Sequence, residues 1–199
     1  MNSHYFSKNP IVPSKEHTID YKIAGHSFSL ISDTNVFAKN GIDYGSMALL
    51  KVIIQKIKAG KVLDIGCGYG VIGLTLAYLI PDIQVTCSDI NHRAVSLTSK
   101  NLSALELSKK VTVLQSDLYE KIEGEFDVIV SNPPIRAGNT VLHNLYTGAY
   151  RHLITSGRFF IVVRRKQGAE STVKYLSNLF AHVETIKKHK GYWIIMATK

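Results

Sequence analysis

Three glycines, Gly66, Gly68 and Gly70, follow the acidic residue Asp64 at the end of an apolar run. Glycines at a turn between a strand and a helix let a ligand come close to the backbone, as nucleotide-binding loops require. Together with Gly73, the last two also satisfy the G-x-G-x-x-G spacing of dinucleotide sites. A carboxylate is unfavourable beside a diphosphate but favourable beside a cationic ligand. The loop therefore predicts a site for a nucleotide-like ligand that carries positive charge.

Two more carboxylates, Asp89 and Asp117, lie where apolar runs end. Asp89 follows the glycine loop by about twenty residues, the spacing of an acid that accepts hydrogen bonds from ribose hydroxyls. Its alternative role is to cap the next helix, which Asn91 could do equally well. Asp117 is placed to accept a hydrogen bond from an adenine amine, or it is an ordinary turn residue. Both acids are candidate ligands for the adenosine part of a nucleotide.

The segment Asn132-Pro133-Pro134 directly follows the strand that we expect to end at Ser131. The two prolines fix their own φ angles and lack N–H donors, so the loop is stiff and rich in hydrogen-bond acceptors. The side-chain oxygen of Asn132 and the carbonyl of Pro133 could both accept from an NH2 group and orient its lone pair. Hydrogen bonds that strengthen as the nitrogen becomes cationic stabilise the transition state of amine alkylation. The segment predicts transfer to an amine by positioning alone.

Both motifs resemble those of class I S-adenosylmethionine-dependent methyltransferases. Asp64-x-Gly-x-Gly-x-Gly70 resembles their motif I, and Asn132-Pro-Pro134 resembles motif IV of the enzymes that methylate adenine, guanine N2 or glutamine. Those families have an aromatic residue next, which stacks on the target base, and the Ile135 found here weakens an adenine or glutamine assignment. Residues 4–7, 37–46, 132–138 and 166–168 instead resemble the small-domain (MTS) methyltransferases, which include the small-subunit (16S) rRNA guanine-N2 enzymes. The resemblance implies methylation of a guanine N2 amine in 16S rRNA, with S-adenosylmethionine as cofactor.

The resemblance also assigns roles to individual residues. The catalytic group is Asn132, Pro133 and Pro134, and the substrate-binding pair is Ile135 and Arg136. The cofactor-binding group is Phe37, Asp64, Gly66, Cys67, Gly68, Tyr69, Gly70, Asp89, Ile90, Asp117 and Asn132.

Charge favours a polyanionic partner, because 24 Lys and Arg oppose 15 Asp and Glu, a net charge of +9. We expect that partner to be RNA, either small-subunit ribosomal RNA or the 30S particle. Arg136 is the leading phosphate contact. The basic runs at 164–166 and 187–190 are either further contacts or solvated turns. Some rRNA enzymes of this group carry a second, degenerate N-terminal domain, for which 199 residues leave no room, so RNA would dock on this domain or on a dimer.

Neither Cys67 nor Cys87 belongs to a metal-ligand spacing, and the eight histidines are scattered, so we expect no metal and no disulfide framework. No apolar stretch approaches the length of a membrane span, and residues 1–15 lack the apolar core of a signal peptide. We expect a cytoplasmic protein. The oligomeric state is not predicted.

The pattern of elements predicts an α/β fold. Residues 1–19 lack a clear period and are interpreted as an irregular arm, 20–31 as a hairpin around Gly25-His26, and 37–46 as a loop. Residues 1–46 would pack as an arm and hairpin on a methyltransferase domain at 47–199. Short apolar runs then alternate with helical segments, which predicts a doubly wound, Rossmann-like, seven-stranded, mainly parallel sheet. The last two strands, joined by a four-residue turn, must pair antiparallel. The predicted strands are 62–65, 83–88, 111–115, 126–131, 158–164, 182–187 and 192–197, and the helices are 47–57, 71–80, 93–105, 141–153 and 170–180.

Three other functions fit some of the same features. The first is methylation of a protein glutamine or a small-molecule amine. The second is a non-catalytic RNA-binding or ribosome-assembly factor, against which the intact Asn132-Pro-Pro134 segment argues. The third is a nicotinamide oxidoreductase, which Asp64 disfavours.

Overall fold

The computed structural model describes residues 14–33, 41–134 and 138–199. Within these ranges the chain forms nine strands and five α-helices. They are β1 (Glu16–Ile23), β2 (His26–Asp33), α1 (Tyr44–Lys56), β3 (Ala59–Ile65), α2 (Val71–Leu79), β4 (Asp82–Asp89), α3 (His92–Ala104), β5 (Val111–Gln115), β6 (Phe126–Ser131), α4 (Asn139–His152), β7 (Leu153–Arg164), α5 (Ala169–Ser177), β8 (His182–His189) and β9 (Tyr192–Thr198).

Seven strands form one sheet in the order β5-β4-β3-β6-β7-β9-β8. The first five in that order are parallel, and β9 pairs antiparallel with both β7 and β8, as the short turn between the last two strands predicts. From β3 the chain winds outward to β4 and β5 and then returns to β6, so the strand order reverses between β3 and β6. In open α/β sheets, ligands bind outside the carboxyl ends of the strands at this reversal.

Helices cover both faces of the sheet, because its central strands are apolar on both sides. Helices α1, α2 and α3 bury Leu49, Leu74 and Leu97 in one hydrophobic cluster. Helices α4 and α5 bury Leu145 and Leu176 in a second cluster on the opposite face. None of the helices in the described ranges combines the length and apolar character needed to cross a membrane.

The N-terminal hairpin β1–β2 packs on α2 and α3. The Tyr21 hydroxyl lies 2.6 Å from Thr75 Oγ1 of α2. On α3, Asn101 accepts from the Ile31 N–H at 2.7 Å and donates to the Ile31 carbonyl and to the Tyr69 carbonyl at 2.9 Å each. A single buried amide therefore ties the hairpin to the glycine loop.

The fold confirms the predicted architecture and corrects several element boundaries. Strand β1 begins at Glu16, so the end of the expected irregular arm is ordered as a strand. Helix α1 begins at Tyr44, inside the segment that we expected to be a loop up to residue 46, because Asp43 caps it and accepts from Ser46 N–H at 3.0 Å. The predicted boundary between residues 46 and 47 thus falls in the first turn of α1. Strand β7 begins at Leu153, five residues before the predicted start.

Candidate active site

The glycine loop, residues 66–70, connects β3 to α2 at the strand-order reversal. Its three glycines have φ angles of 74°, 60° and 91°, a region that side chains with a Cβ rarely adopt. The N–H groups of Gly66 and Cys67 donate to the Ser88 carbonyl at 2.8 and 3.0 Å. From α3, the Thr98 hydroxyl donates to the Gly68 carbonyl at 2.8 Å. These hydrogen bonds attach the loop to β4 and α3, and the other side of the loop borders open space.

Asp89 lies at the end of β4 beside this loop. Its two carboxylate oxygens accept from the N–H groups of Gly68 and Asn91, each at 2.9 Å. Burial raises the pKa of Asp89, although these hydrogen bonds lower it. Asn91, not Asp89, caps α3, since its side chain accepts from Arg93 N–H at 2.9 Å. Each carboxylate oxygen keeps a lone pair for further donors, so Asp89 can receive hydroxyl groups of a ligand.

Asp64 is fully buried beneath the loop and does not line the space above it. Its Oδ2 accepts from Gly73 N–H at 2.8 Å, and its Oδ1 has no hydrogen-bond partner among the described residues. Burial raises the pKa of Asp64 to about 7, and the negative charge of Asp89 adds to this effect. An unpaired buried carboxylate with a raised pKa is stabilised by a positive charge nearby.

A cavity of about 390 Å³, here called the large cavity, lies above the glycine loop and between the ends of β3, β4 and β6. This volume is in the range of small-molecule sites. The lining includes Asp89, Asp117 and, on the far side, Leu142 and Leu145 of α4. A Cβ built on Gly66 meets no atom within 4 Å, so a side chain there would enter the open space. The walls fit a nucleoside with a polar ribose edge and an apolar base.

Two other predicted residues, Cys67 and Tyr69, reach the large cavity from the loop. A hydrogen bond with the Cys87 thiol, and then burial, raise the pKa of Cys67, so it is a neutral thiol. Burial also raises the pKa of Tyr69, and its hydroxyl has no hydrogen-bond partner in the described part of the chain. Both side chains therefore act as uncharged walls of the cavity.

Asn132 lies between the large cavity and a second, small cavity on the other side of the Asn-Pro-Pro segment. Its side-chain Nδ2 donates to Asp43 Oδ2 and to Ser46 Oγ, both at 2.8 Å. A carboxylate only accepts hydrogen bonds, so the NH2 group of Asn132 must face Asp43. The amide oxygen of Asn132 is therefore left for a donor. The same segment is anchored by Ser131, whose hydroxyl donates to the Ile65 carbonyl at 2.9 Å.

The small cavity is bounded by Asp43 and by residues at the carboxyl end of β7 and the start of β9, including Arg164 and Tyr192. It shares Asn132, Pro133 and Pro134 with the large cavity. A group that entered the small cavity would thus meet a ligand of the large cavity at Asn132.

The structure brings most of the predicted site residues together. Ten of them line the large cavity: Gly66, Cys67, Gly68, Tyr69, Asp89, Ile90, Asp117, Asn132, Pro133 and Pro134. Asp64 and Gly70 do not line the cavity. Asp64 lies beneath the loop, and Gly70 is the last residue of the loop before α2. Phe37, Ile135 and Arg136, and the segment 4–7, lie outside the described residues. No three His, Cys, Asp or Glu side chains within the described ranges cluster as metal ligands would.

Asp43 and Ser46 were not predicted as site residues, although both lie in the segment 37–46 that carries the resemblance. The spacing Asp-x-x-Ser at the start of an apolar-periodic segment is an N-cap signal. That signal predicts the bond within the helix. The contact with Asn132 joins residues 89 positions apart, so no local pattern could predict it.

Comparisons with known proteins identify the family of this chain. Residues 27–196 match the family model of the methyltransferase small domain. YbxB of Bacillus subtilis (strain 168) is 39% identical over 201 residues and covers 100% of both chains. Ribosomal RNA small subunit methyltransferase C of Serratia proteamaculans (strain 568) is 38% identical over 141 residues, which are 69% of this chain and 40% of the relative.

Among solved structures, the T. thermophilus 16S rRNA N2 methyltransferase RsmC, in complex with AdoMet and guanosine, superimposes with a TM-score of 0.84 at 27% identity. The match covers 96% of this chain and 52% of that chain. The chain therefore spans about half or less of the length of the rRNA methyltransferases that it matches. On the evidence of the matched family, the shared fold and the glycine-loop cavity, this chain belongs to the methyltransferase small-domain family.

Proposed function

We propose that this methyltransferase transfers a methyl group from S-adenosylmethionine to the exocyclic N2 amine of a guanine in 16S rRNA. The observation that carries the proposal is the fixed amide of Asn132 between the two cavities. Its NH2 group is held by Asp43 and Ser46, which leaves its oxygen to accept from an acceptor amine. The finer parts of the proposal, guanine N2 and small-subunit RNA, are supported by the relatives whose names carry that activity.

S-adenosylmethionine is the cofactor of this family, and it supplies an electrophilic methyl group on a sulfonium. In this chain, the large cavity would hold it. Asp89 would accept from its ribose hydroxyls in charge-assisted hydrogen bonds, and Asp117 would accept from its adenine amine. The positive charge of the cofactor would favour the ionised form of Asp64 below the loop.

The acceptor amine would enter from the small cavity. An exocyclic amine is a poor nucleophile because its lone pair is delocalised into the ring. Hydrogen bonds from its N–H groups to Asn132 Oδ1 and to the Pro133 carbonyl turn the lone pair toward the methyl. These bonds strengthen as the nitrogen gains positive charge, so they stabilise the transition state more than the ground state. The methylated nitrogen is acidic and releases its proton without a dedicated base.

A polyanionic substrate agrees with the charge of the chain, +9, and with the basic residues beside the small cavity. An amide that presents an oxygen to an amine suits guanine N2, adenine N6 and glutamine alike. The similarity to rRNA enzymes selects guanine among these. The segment that would contact the base next, Ile135 and Arg136, remains a proposal from the sequence.

The test is transfer of labelled methyl from S-adenosylmethionine to unmodified small-subunit ribosomal RNA and to 30S particles, followed by nucleoside analysis. We expect N2-methylguanosine. A different methylated nucleoside would contradict the guanine assignment, and incorporation into protein alone would contradict the RNA assignment. The same assay with large-subunit RNA shows which of the two ribosomal RNAs is methylated.

Two variants separate binding from chemistry. Asn132→Ala should keep cofactor affinity and lose turnover, whereas Asp89→Ala should lose cofactor affinity. Unchanged turnover in both variants would remove this mechanism. No methyl incorporation by wild-type protein that binds the cofactor tightly would contradict the acceptor and leave the cofactor site standing.

A further inference from the structure

The turn between β8 and β9 lies at the same edge of the sheet as the Asn-Pro-Pro segment. Strand β6 ends at Ser131, which pairs with Ile161 of the adjacent β7. Three residues further along β7, Arg164 pairs with Tyr192 of β9, and Tyr192 pairs with His189 of β8. A row of side chains therefore runs from Asn132 outward across three strands. The two basic runs that are separate in the sequence, 164–166 and 187–190, meet along this row.

Cations and aromatic rings alternate in this region. The Arg164 guanidinium lies 4.8 Å from the centroid of the Tyr192 ring and donates to its hydroxyl at 2.7 Å. Lys188 Nζ lies 3.8 Å from the centroid of the Trp193 ring, and Lys190 Nζ lies 5.4 Å from that of Tyr44. We call these six residues, Tyr44, Arg164, Lys188, Lys190, Tyr192 and Trp193, the basic–aromatic surface.

Such cation–aromatic pairs differ from a solvated charged turn. Each cation is held over a ring and is therefore positioned before a ligand arrives, which reduces the entropy lost on binding. Arg164, Lys188 and Lys190 are exposed and form no ion pair with an acid in the described part of the chain. The acids nearby are Glu170, which lies 3.6 Å from Arg165, and Asp43 in the small cavity.

The basic–aromatic surface is continuous with the active site. Lys188, Lys190 and Trp193 line an open groove that also includes Tyr192. Tyr192 in turn lines the small cavity, and the small cavity shares Asn132 with the large cavity. One path therefore connects the groove with the place where the methyl acceptor would meet the cofactor.

We propose that the basic–aromatic surface binds the single-stranded RNA that flanks the target nucleotide. This inference rests on the proposed function and adds a docking site to it. The phosphates would contact Arg164, Lys188 and Lys190. Flanking bases would stack on the partly exposed rings beside these cations, as in proteins that bind single strands without reading their sequence. Base stacking suits an unpaired strand and not a duplex, whose bases already stack on each other. The surface would thus select an unpaired target and supply affinity that the narrow acceptor site lacks.

Two double variants of equal charge test this site. Lys188→Ala/Lys190→Ala removes two cations from the basic–aromatic surface. Lys58→Ala/Lys109→Ala removes two exposed lysines next to the first residues of β3 and β5, at the opposite edge of the sheet. Binding of a labelled single-stranded fragment of small-subunit RNA is measured by fluorescence anisotropy over a range of salt concentrations, with S-adenosylmethionine present.

The surface variant should bind RNA about tenfold more weakly, and the slope of log affinity against log salt should fall by about 1.4, since each lost phosphate contact on a single strand removes about 0.7. The control variant should match wild type. In methyl transfer, the surface variant should raise KM for RNA more than it lowers kcat. Equal affinity and slope in the two variants would overturn the inference.

Trp193 gives a direct readout because it is the sole tryptophan of the chain. Adding single-stranded RNA should quench its fluorescence, and a duplex of the same sequence should quench it less. Equal quenching by both would overturn the stacking part of the inference. Methyl transfer to RNA by wild type, with no effect of the surface variant, would reject the docking site and keep the proposed function. RNA binding that depends on the basic–aromatic surface, without methyl transfer to RNA, would keep the docking site and reject the proposed function.

Discussion

Replacing Asp43 by alanine tests whether the orientation of the Asn132 amide matters for catalysis. Asp43 Oδ2 accepts both from Asn132 Nδ2 at 2.8 Å and from Ser46 N–H at 3.0 Å, so one carboxylate caps α1 and fixes the amide. Without it, Ser46 Oγ is the remaining partner of the Asn132 NH2 group, and a hydroxyl can donate as well as accept. The amide would then be free to turn its NH2 group toward the acceptor.

The size of the effect follows from the charge of the bond. Hydrogen bonds to charged groups contribute about 1.5–3 kcal/mol, and each 1.36 kcal/mol of barrier is a factor of ten in rate. We expect kcat to fall by about 10- to 150-fold in Asp43→Ala. Cofactor affinity should change little, because Asp43 lines the small cavity and not the large one. Loss of the helix cap should also cost about 0.5–2 kcal/mol of folding stability.

Two further variants separate these effects. Asp43→Asn keeps the cap and a neutral acceptor, so its kcat should lie between those of wild type and Asp43→Ala, with stability near wild type. Ile53→Val, fully buried in α1, should lose about 0.5–1.5 kcal/mol of stability without touching the site. The assay is single-turnover methyl transfer, with thermal unfolding and cofactor titration on the same samples. If Asp43→Ala were no slower than Ile53→Val, the amide-orientation argument would be refuted.

Three more predictions concern the cofactor, pH and packing. Asp89→Ala should weaken S-adenosylmethionine binding at least about tenfold in calorimetric titration, because each lost charge-assisted bond contributes about 1.5–3 kcal/mol; unchanged affinity would remove Asp89 from the site. Burial holds the pKa of Asp64 at about 7, so the folded protein keeps a proton that the unfolded chain has released above about pH 4. The free energy of unfolding should therefore fall as pH rises from about 4 to 7, by up to about 1.4 kcal/mol per pH unit. In Asp64→Asn the free energy of unfolding should depend less on pH across this window. The same pH slope in urea unfolding of both proteins would contradict this assignment. Gly148→Ala would place a Cβ 2.2 Å from the ring of Tyr119, so it should lower stability by about 1–3 kcal/mol. A higher melting temperature, as expected for alanine at an open helix position, would contradict it.

The sequence predicts the sheet well because its central strands are short apolar runs between turn residues. It also brings Asp89 and Asp117 to the same cavity, since the ends of parallel strands meet at one edge, Asp89 closes β4 and Asp117 follows the end of β5 by two residues. The position of the Asp64 side chain, beneath the loop and not in the cavity, was harder to predict. Its neighbours Leu63 and Ile65 belong to the hydrophobic cluster on the α4–α5 side, so alternation along β3 turns Asp64 toward Gly73 on the other face. A motif position alone does not show whether its side chain reaches the ligand or supports the loop.

The contacts that orient the acceptor side could not be predicted because they join distant parts of the chain. Asp43 meets Asn132, and Arg164 meets Tyr192, only after β6, β7 and β9 have paired and α1 has packed against β7 and β9. One of the corrected boundaries lies in this region: α1 begins earlier than predicted because Asp43 caps it, and Asp43 is also the partner of Asn132. A local sequence pattern identifies such a residue as a helix cap, but it does not predict the second hydrogen bond that the residue forms with a distant part of the chain.

Asn132 lines both cavities, so under the proposed function one residue would contact both ligands. The large cavity lies at the ends of β3, β4 and β6, while the small cavity lies between Asp43, the end of β7 and the start of β9, and α4 contributes to the walls of both. The Asn-Pro-Pro segment is the wall that they share. The amide is fixed by Asp43 at the start of α1 and the glycine loop by α3 and the end of β4, so under the proposed function the two ligands would be positioned mainly by different contacts. Changes on one side should therefore alter kcat or RNA affinity while cofactor affinity is retained, and changes on the other side should do the opposite.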